Sequence, residues 1–481
     1  MAMHYDVLVI GGSTTGCYFA HEMAAQGYRV AVADALPAHR IGGHLPVFHV
    51  DKPKFDALGI PRPEPDDPDY LGEFAAGTYY PPSGQYMKRD DAAQRGGSQK
   101  IIYADYPFLV CALPPFIQRL RAWCAEAGVK FLDETKFEDL IYCKHGVRGA
   151  HLVGPEGEAV TVYARLVADC SGKEAVARRS LRKPTPVEDF EVGPRDSMFV
   201  ILKFLKLKYP ERDAPRRAEH WAYYKGWIGQ SQSPDVAVIG TSAALSFEYT
   251  EKCMERFLAA VEMPEGEVID EQRGRLPFRR PPYSLVDSGF VALGDAACMN
   301  KWIGEGICSA WVGCQMAAEV AGKALQNGAY PTLEALWPLN VRYNTTQQAD
   351  FAYINATAIN AVDCSTAEMN YEFEKGIVFT DKAMTRLNWE YSAEMPPDEV
   401  VQLIAKLGAG LASGNISPRT LKGMLKGVAY STLLKAHYKA FPKTPAGFED
   451  WADGCGKLWE MCGNIADVTE KYEMRNQEAL C

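Results

Sequence analysis

An α/β fold with a parallel sheet, a second β-rich part and a helical C-terminal region is what this sequence predicts, and three stretches carry the prediction. Residues 7–10 are a short apolar run ending at Gly11-Gly12-Ser13-Thr14-Thr15-Gly16, followed by a second run, residues 30–33, that ends at Asp34. Residues 164–168 are another apolar run, leading into Asp169-Cys170-Ser171-Gly172. Residues 290–293 repeat the pattern, stop at Gly294-Asp295 and lead through a loop to a helix beginning near Gly304. Short apolar runs without alternation suit strands covered on both faces, as in a parallel sheet with crossover helices.

The first unit reads as strand, turn, helix and strand. Gly11 allows the tight turn, and Gly16 lets the following helix lie close to the strand. Asp34 stands at the distance expected for holding a ribose hydroxyl in a dinucleotide-binding βαβ unit. Ser13 occupies the middle glycine of that fingerprint, and its small side chain still lets a pyrophosphate approach the helix N-terminus. Residues 51–99 are rich in Pro, Asp, Gly and Tyr without periodicity; they are expected to form a long loop or lid, or an insertion with short strands. Residues 114–127 read as a helix, with Phe116, Leu120 and Trp123 on one face and prolines in the first turn. Residues 130–142, 147–153 and 160–169 read as strands returning to the first sheet.

Residues 199–207, 219–228 and 236–246 are aromatic and alternating, as an antiparallel sheet would be. Residues 256–261 read as helical. From about residue 331 the pattern is mainly helical, with breaks at Pro396-Pro397 and around residues 408–414. The expected organisation is a discontinuous first domain (1–50, 100–185 and 285–335), a lid or insertion (51–99), a β-rich domain (186–284) and a helical region (336–481). Within it, Asp295 at a strand end can accept hydrogen bonds from a polyol. The backbone of Gly304-Glu305-Gly306-Ile307 can hold a carbonyl or a developing negative charge at a helix N-terminus. A ribityl chain and a reduced flavin ring meet both demands.

Together, the fingerprint ending at Asp34, the Asp169-Cys170-Ser171-Gly172 turn and the Gly294-Asp295 to Gly304-Glu305-Gly306 segment resemble the FAD-dependent oxidoreductases with a glutathione-reductase-like Rossmann fold. Within them the chain looks closest to the geranylgeranyl reductase and FixC-like flavoprotein dehydrogenases, with flavin-dependent halogenases and aromatic monooxygenases as neighbours. The resemblance covers residues 4–345 and implies an FAD-binding Rossmann fold interleaved with a β-rich substrate domain. It implies non-covalent FAD, with Gly11, Gly12, Ser13, Thr14, Thr15 and Gly16 at the pyrophosphate and Asp34 on the ribose. Arg40 would lie near the diphosphate, Gly43 by the isoalloxazine, and Phe137 in the segment that touches adenine. Gly172 lies in the middle turn, Gly294 and Asp295 at the ribityl chain, and Gly304, Glu305, Gly306 and Ile307 against the isoalloxazine.

Three catalytic candidates follow from the same resemblance. His44, after Gly42-Gly43, is either a proton donor near the flavin or a loop histidine bonded to backbone. Lys301 stands where relatives have proline; it either stabilises anionic reduced flavin and acts as an acid, or swings to solvent. Trp302 would stack near the ring or shape the pocket. Glu305 reads as a carboxylate at a helix N-terminus rather than a catalyst. Tyr224 and Trp227 sit in a segment similar to the aromatic strand of the geranylgeranyl reductase substrate tunnel, although Gly229 replaces its proline. Ile41 replaces the cysteine of some geranylgeranyl reductases, so no thiol role carries over. Lys88 lies where halogenases keep a lysine, among residues that match poorly, and reads as solvated.

The implied activity is hydride transfer between flavin and a largely apolar organic substrate. The alternative is an oxygen-dependent monooxygenase or halogenase acting through a flavin C4a-peroxide, and a third reading is a non-catalytic escort protein on the same fold. The Gly304-Glu305-Gly306-Ile307 turn supports the first, because halogenases tend to have serines there. No second glycine-rich motif is present, so reduced nicotinamide would bind transiently, or a reductase or electron-transfer partner would supply electrons.

Composition bounds the rest. The 481 residues are 47% hydrophobic and 23% charged with a net charge of −10, which gives no general basic surface for nucleic acid. The 13 cysteines include no Cys-x-x-Cys pair and no metal-ligand spacing, and are expected to be small buried hydrophobes in a reducing compartment. No transmembrane run or signal peptide is read, and the expected location is cytoplasmic; residues 419–443 read either as a solvated helix face or as a basic amphipathic helix for peripheral membrane contact or an acidic partner. There Arg419, Lys422, Lys426, Lys435, Lys439 and Lys443 interleave with leucines and no acid.

Overall fold

The computed structural model describes residues 2–43, 46–84, 98, 100–215, 218–231, 233–300, 306–361, 364–390, 392 and 395–478. The chain begins with β1 (Ala2–Ile10), α1 (Thr14–Ala25), β2 (Val30–Ala33), β3 (Val47–Asp51), α2 (Lys52–Leu58) and β4 (Tyr70–Tyr79). It continues through β5 (Ile102–Ala112), α3 (Leu113–Glu126), β6 (Lys130–Leu132), β7 (Lys136–Cys143), β8 (Gly146–Val153) and β9 (Ala159–Asp169). Next come β10 (Ser197–Leu207), α4 (Pro210–Asp213), β11 (Ala218–Trp221), β12 (Gly226–Gln230), β13 (Val236–Ala243), α5 (Phe247–Ala260) and β14 (Gly266–Pro277). The hairpin β15 (Val286–Asp287) and β16 (Phe290–Ala292) precedes α6 (Gly306–Ala324), α7 (Leu333–Thr345) and α8 (Gln347–Ala361). The last part holds α9 (Thr366–Lys375), α10 (Asp381–Thr385), α11 (Pro397–Ala412), α12 (Pro418–Lys439), α13 (Phe448–Cys462) and α14 (Ile465–Glu478).

The first sheet has the order β15-β16-β9-β1-β2-β6, with β8 added beside β9 and β7 beside β8. From β16 to β6 neighbouring strands run parallel, as the unbroken apolar runs predict. Register aligns the carboxyl ends: Ile10 lies opposite Ala33 and Asp169, and Asp169 opposite Ala292. The chain therefore leaves β1, β2, β9 and β16 along one edge, where ligands of open parallel sheets bind. Val7, Leu8 and Val9 of β1 and Val30, Ala31 and Val32 of β2 are at most 1% exposed, under α1, α3 and α6.

The second sheet has the order β14-β10-β13-β12-β11-β4-β5-β3, antiparallel except for the β11–β4 pair. Here the strand pairing departs from the expected organisation. β4 lies inside residues 51–99 and pairs with both β5 and β11, so of the two expectations for this segment it fits the insertion with strands, here built into the second sheet. Its register shifts near Gly72 and Ala76 break the two-residue period that would have revealed it. β3 and β5, placed by sequence in the first domain, pair with each other in this second sheet. The single strand expected over residues 219–228 is two strands, because Lys225 takes a left-handed φ of 57° between them. β14 was not expected at all; its exposed, charged residues are those of an edge strand.

One face of the second sheet packs on α5 through Ile228, Ile239, Met254 and Phe257. The other face, with Phe108, Leu202 and Val238, looks toward Phe373 and Met384 of the helical region. α12 lies along α8, and Trp337, Tyr438, Phe441 and Trp451 form the core between the C-terminal helices. Eleven of the twelve described cysteines are buried and all twelve are free thiols, in keeping with their expected role as small core residues. Among the described residues no helix is long and apolar enough to cross a membrane.

Candidate functional site

A cavity of about 1620 Å³ runs from the aligned strand ends of the first sheet to the inner face of the second, roofed by the C-terminal helices. At one end lies the β1–α1 turn, where Gly11, Ser13, Thr14 and Thr15 line the wall. Gly11 has φ 103°, and a Cβ there would stand 2.3 Å from the Cys170 carbonyl oxygen. A Cβ on Gly16 would lie 1.9 Å from the Gly11 carbonyl oxygen, so only glycine lets α1 start so close to β1. The first turn of α1 thus presents backbone N–H groups, with the favourable end of its dipole, to the cavity.

Asp34 reaches back to this turn. Its carboxylate accepts from Gly12 N–H at 2.7 Å and from Leu36 N–H at 2.9 Å, which fixes its orientation at the cavity wall. Beneath it, Arg121 pairs with Asp133 at 2.7 Å while its buried Nη1 has no partner among the described residues. Thr135, Lys136 and Phe137 line the adjoining wall. Gly172 lines it from the β9 side.

Behind Gly172, Asp169 is fully buried and accepts from Ser171 Oγ at 2.6 Å and Arg178 N–H at 2.6 Å. Burial raises its pKa, and these bonds offset part of that rise. The Arg178 guanidinium, also fully buried, donates to the carbonyls of Ala296 (2.8 Å), Phe190 (2.9 Å) and Glu188. This strut joins the middle turn to the turn after β16.

That turn is set by Gly294, at φ 62°, where a Cβ would meet Thr15 Oγ1 at 2.7 Å. Asp295 therefore projects into the cavity beside Gly306, Ile307 and Cys308. Burial raises its pKa, and Lys173 pulls the other way. Asn300 ties the segment to the second sheet by donating to the Pro277 carbonyl at 2.9 Å. The Trp311 indole donates to the Thr14 carbonyl at 3.2 Å, holding α6 against α1.

The other candidates separate. Arg40 and Gly43 are exposed and off the cavity wall; Ile41 and Gly42 line it instead. His44, Lys88, Lys301, Trp302, Gly304 and Glu305 lie outside the described residues. Trp227 is on the wall, its ring over Gly240, where a Cβ would be 2.2 Å away. Tyr224 is a correction: it packs with Trp221, Ile228 and Phe257 on the opposite face of the sheet, and its hydroxyl donates to Pro82 O at 3.4 Å. The left-handed Lys225 next to it changes the alternation, and Tyr223 reaches the cavity instead.

The structure adds residues that the sequence did not single out. His49 of β3 and His220 of β11 both line the cavity, and burial lowers each to about 4, helped for His220 by the nearby His49. His220 stacks on Tyr79 at 4.8 Å, and Tyr79 accepts from Asn388 at 3.0 Å. Glu372 of α9 faces the same chamber; its buried Oε1 has no partner among the described residues, and burial raises its pKa to about 8. A histidine in the otherwise apolar run Val47-Phe48-His49-Val50 was the one visible signal. Glu372 reads as an ordinary helix-surface acid, because only tertiary packing buries it. Among the described residues no group of three or more His, Cys, Asp or Glu is arranged to hold a metal ion.

No protein-family model matches the chain. The digeranylgeranylglycerophospholipid reductase of Sulfolobus acidocaldarius is 22% identical over 467 residues, which is 93% of this chain and 96% of the relative. A solved geranylgeranyl bacteriochlorophyll reductase-like protein from Thermoplasma acidophilum superposes with a TM-score of 0.60 at 16% identity, covering 86% of this chain and all of its own. The chondrochloren halogenase, a myxobacterial FAD-dependent halogenase, gives a TM-score of 0.52 at 15% identity, covering 87% and 99% of the two chains. The resemblance carried by the motifs is borne out by the sequence relative, and the fold by both structures.

Proposed function

We propose that this chain binds FAD non-covalently and reduces the double bonds of a long apolar, isoprenoid-like substrate. The observation that carries the reading is the continuity of the cavity: dinucleotide-binding motifs at one end open without interruption into an apolar chamber at the other. The wall suits FAD on its own terms. The α1 turn offers N–H groups to a pyrophosphate, Asp34 offers oriented lone pairs to a ribose, and Asp295 offers a carboxylate to a ribityl chain. Behind the turn, Arg121, paired with Asp133, keeps one buried N–H group, at Nη1, without a partner among the described residues. When bound, FAD would supply the hydride. The sequence relative and the reductase-like structural neighbour support reduction over the oxygen-dependent alternative.

The protein's own groups then position the apolar chain and handle one proton. Trp227, Val200, Leu202 and Val238 from the sheet, with Met369 and Met424 from the helices and Ile377 from the loop after α9, exclude water along the chamber. Glu372 is the proton source in this reading: with a pKa near the operating pH, its carboxyl oxygen carries a proton at neutrality and can release it. His44 and Lys301 are proposed to act beside the flavin ring, as the resemblance implies.

The test is anaerobic. Photoreduced, FAD-loaded protein is mixed with alkene-containing isoprenoid lipids, while flavin absorbance and product mass are followed. Reoxidation with two hydrogens added to the lipid is expected. No reoxidation without oxygen, together with an oxygenated or halogenated product in air, would overturn the reading in favour of the monooxygenase or halogenase.

A further inference from the structure

We propose that the outer faces of α11 and α12 form a docking surface for an anionic lipid bilayer. α11 is apolar on its outer side as well as on its buried inner side, unlike an ordinary surface helix, whose outer side is polar. Glu399 is paired with Arg386 at 3.1 Å, and Lys406 donates to the Gly376 carbonyl at 2.8 Å. Beyond the exposed Asp398 and Gln402 near its start, its outward side is Val401, Ile404, Ala405, Gly408, Leu411 and Ala412, with Val401 67% and Ile404 56% exposed. Leu403 and Leu407 on its inner side pack with Leu421 and Met424 of α12, so the two helices lie side by side. α12 then exposes Lys422, Leu425, Lys426, Ala429 and Leu433, placing lysines among leucines that are about half exposed.

Charge selects the occupant. The chain carries a net charge of −10, yet no Asp or Glu occurs between Glu399 and Glu449. A bilayer takes both parts of this surface, apolar side chains at the acyl boundary and lysines at anionic headgroups. A second copy of the chain fits worse, because a two-fold contact sets the patch against itself and brings Lys422 and Lys426 toward their own copies. The same two helices line the catalytic chamber from inside through Leu403, Met424 and Val428. A lipid substrate would therefore have one wall between membrane and chamber. That consequence rests on the proposed function; the docking itself rests on the surface alone.

The experiment is co-sedimentation of the full, FAD-loaded chain with phosphatidylcholine vesicles, with and without phosphatidylglycerol. The protein is expected to sediment with the phosphatidylglycerol vesicles and to be released by high salt. Lys422→Gln with Lys426→Gln should weaken binding about 30-fold, at about fivefold per lysine. Val401→Asn with Ile404→Asn should weaken it about tenfold or more. Flavin content and reduction of a detergent-dispersed substrate should not change in either variant. Absence of sedimentation of the unaltered protein, or full binding by both variants, overturns the proposal. A dimer dissociated by Val401→Asn with Ile404→Asn, without vesicle binding, reassigns the face to a second copy. Intact vesicle binding with no lipid reduction counts against the proposed reaction and leaves the docking in place.

Discussion

Glu368 and Glu372 stand one turn apart on α9 and are driven in opposite directions. Burial alone would raise Glu368, but Thr420 Oγ1 at 2.6 Å, Ser417 N–H at 2.8 Å and Ser365 N–H at 2.9 Å donate to it and hold it at about 2. It is the charged member of the capping box that starts α9 and also anchors the start of α12. Glu372 Oε1 has no such donor among the described residues; burial, then the Glu368 charge, raises its pKa to about 8. One carboxylate is spent on structure and the other is left as an acid facing the chamber.

Stability should therefore carry an alkaline penalty traceable to Glu372. Its folded pKa lies above the ordinary 4.5, so the unfolded chain loses this proton first. The contribution is complete below pH 4.5 and is lost as pH rises through about 8. Glu372→Gln, which imitates the protonated acid, should gain up to about 5 kcal/mol over the unaltered protein at the alkaline end. Denaturant melts of both proteins across this range check it, and parallel curves would refute it. The same variant should keep its FAD and lose reduction rate by about 100-fold.

The two chamber histidines predict the reverse on the acid side. Both fold with pKa lowered from 6.5 to about 4, so the unfolded chain binds protons first as pH falls. Stability is full above pH 6.5 and declines toward pH 4, by on the order of 3 kcal/mol for each ring. His220→Gln should flatten this part of the pH–stability curve relative to the unaltered protein. An unchanged slope would place His220 in solvent rather than in the chamber.

Gly16→Ala tests the close approach of α1 to β1. The added methyl meets the Gly11 carbonyl oxygen at 1.9 Å and must push the helix away, at a cost of about 3 kcal/mol. The protein should purify without flavin and melt earlier. Gly193→Ala is the control: nothing lies within 4 Å of its Cβ, and its effect should stay within about 0.5 kcal/mol.

Asp34 and Asp295 should fail differently. Asp34→Ala leaves the Gly12 and Leu36 N–H groups without their carboxylate as well as removing a ribose partner, and should weaken FAD binding about 100-fold. Asp295→Asn relieves a buried charge while keeping an acceptor, so FAD binding should fall by about tenfold or less. Titration of the apoprotein with FAD, followed by fluorescence quenching, separates the two.

Gly240→Ala should act through Trp227. A Cβ at Gly240 would stand 2.2 Å from the indole, which has to tilt into the chamber. The KM for a long-chain substrate is expected to rise about tenfold, with FAD binding unchanged. A normal KM would remove Trp227 from the substrate wall.

Much of the first sheet was legible because its information is local. Four apolar runs, each ending in glycine or a carboxylate, specify buried parallel strands, and their order in the chain is enough to align Gly11, Asp34, Gly172 and Asp295. The second sheet was only partly legible, since bulges in β4, the left-handed Lys225 and the charged edge strand β14 each break the period on which such reading depends.

By itself, then, the sequence determined the glycine-turn end of the cavity. Backbone turns and one carboxylate per strand end are set by residues adjacent in the chain. The chamber was decided by tertiary structure alone. His49, His220 and Glu372 come from segments more than a hundred residues apart, and their chemistry comes from burial. A histidine or glutamate has its ordinary pKa in any local sequence; only packing β3, β11 and α9 around one cavity removes the water that would keep it so.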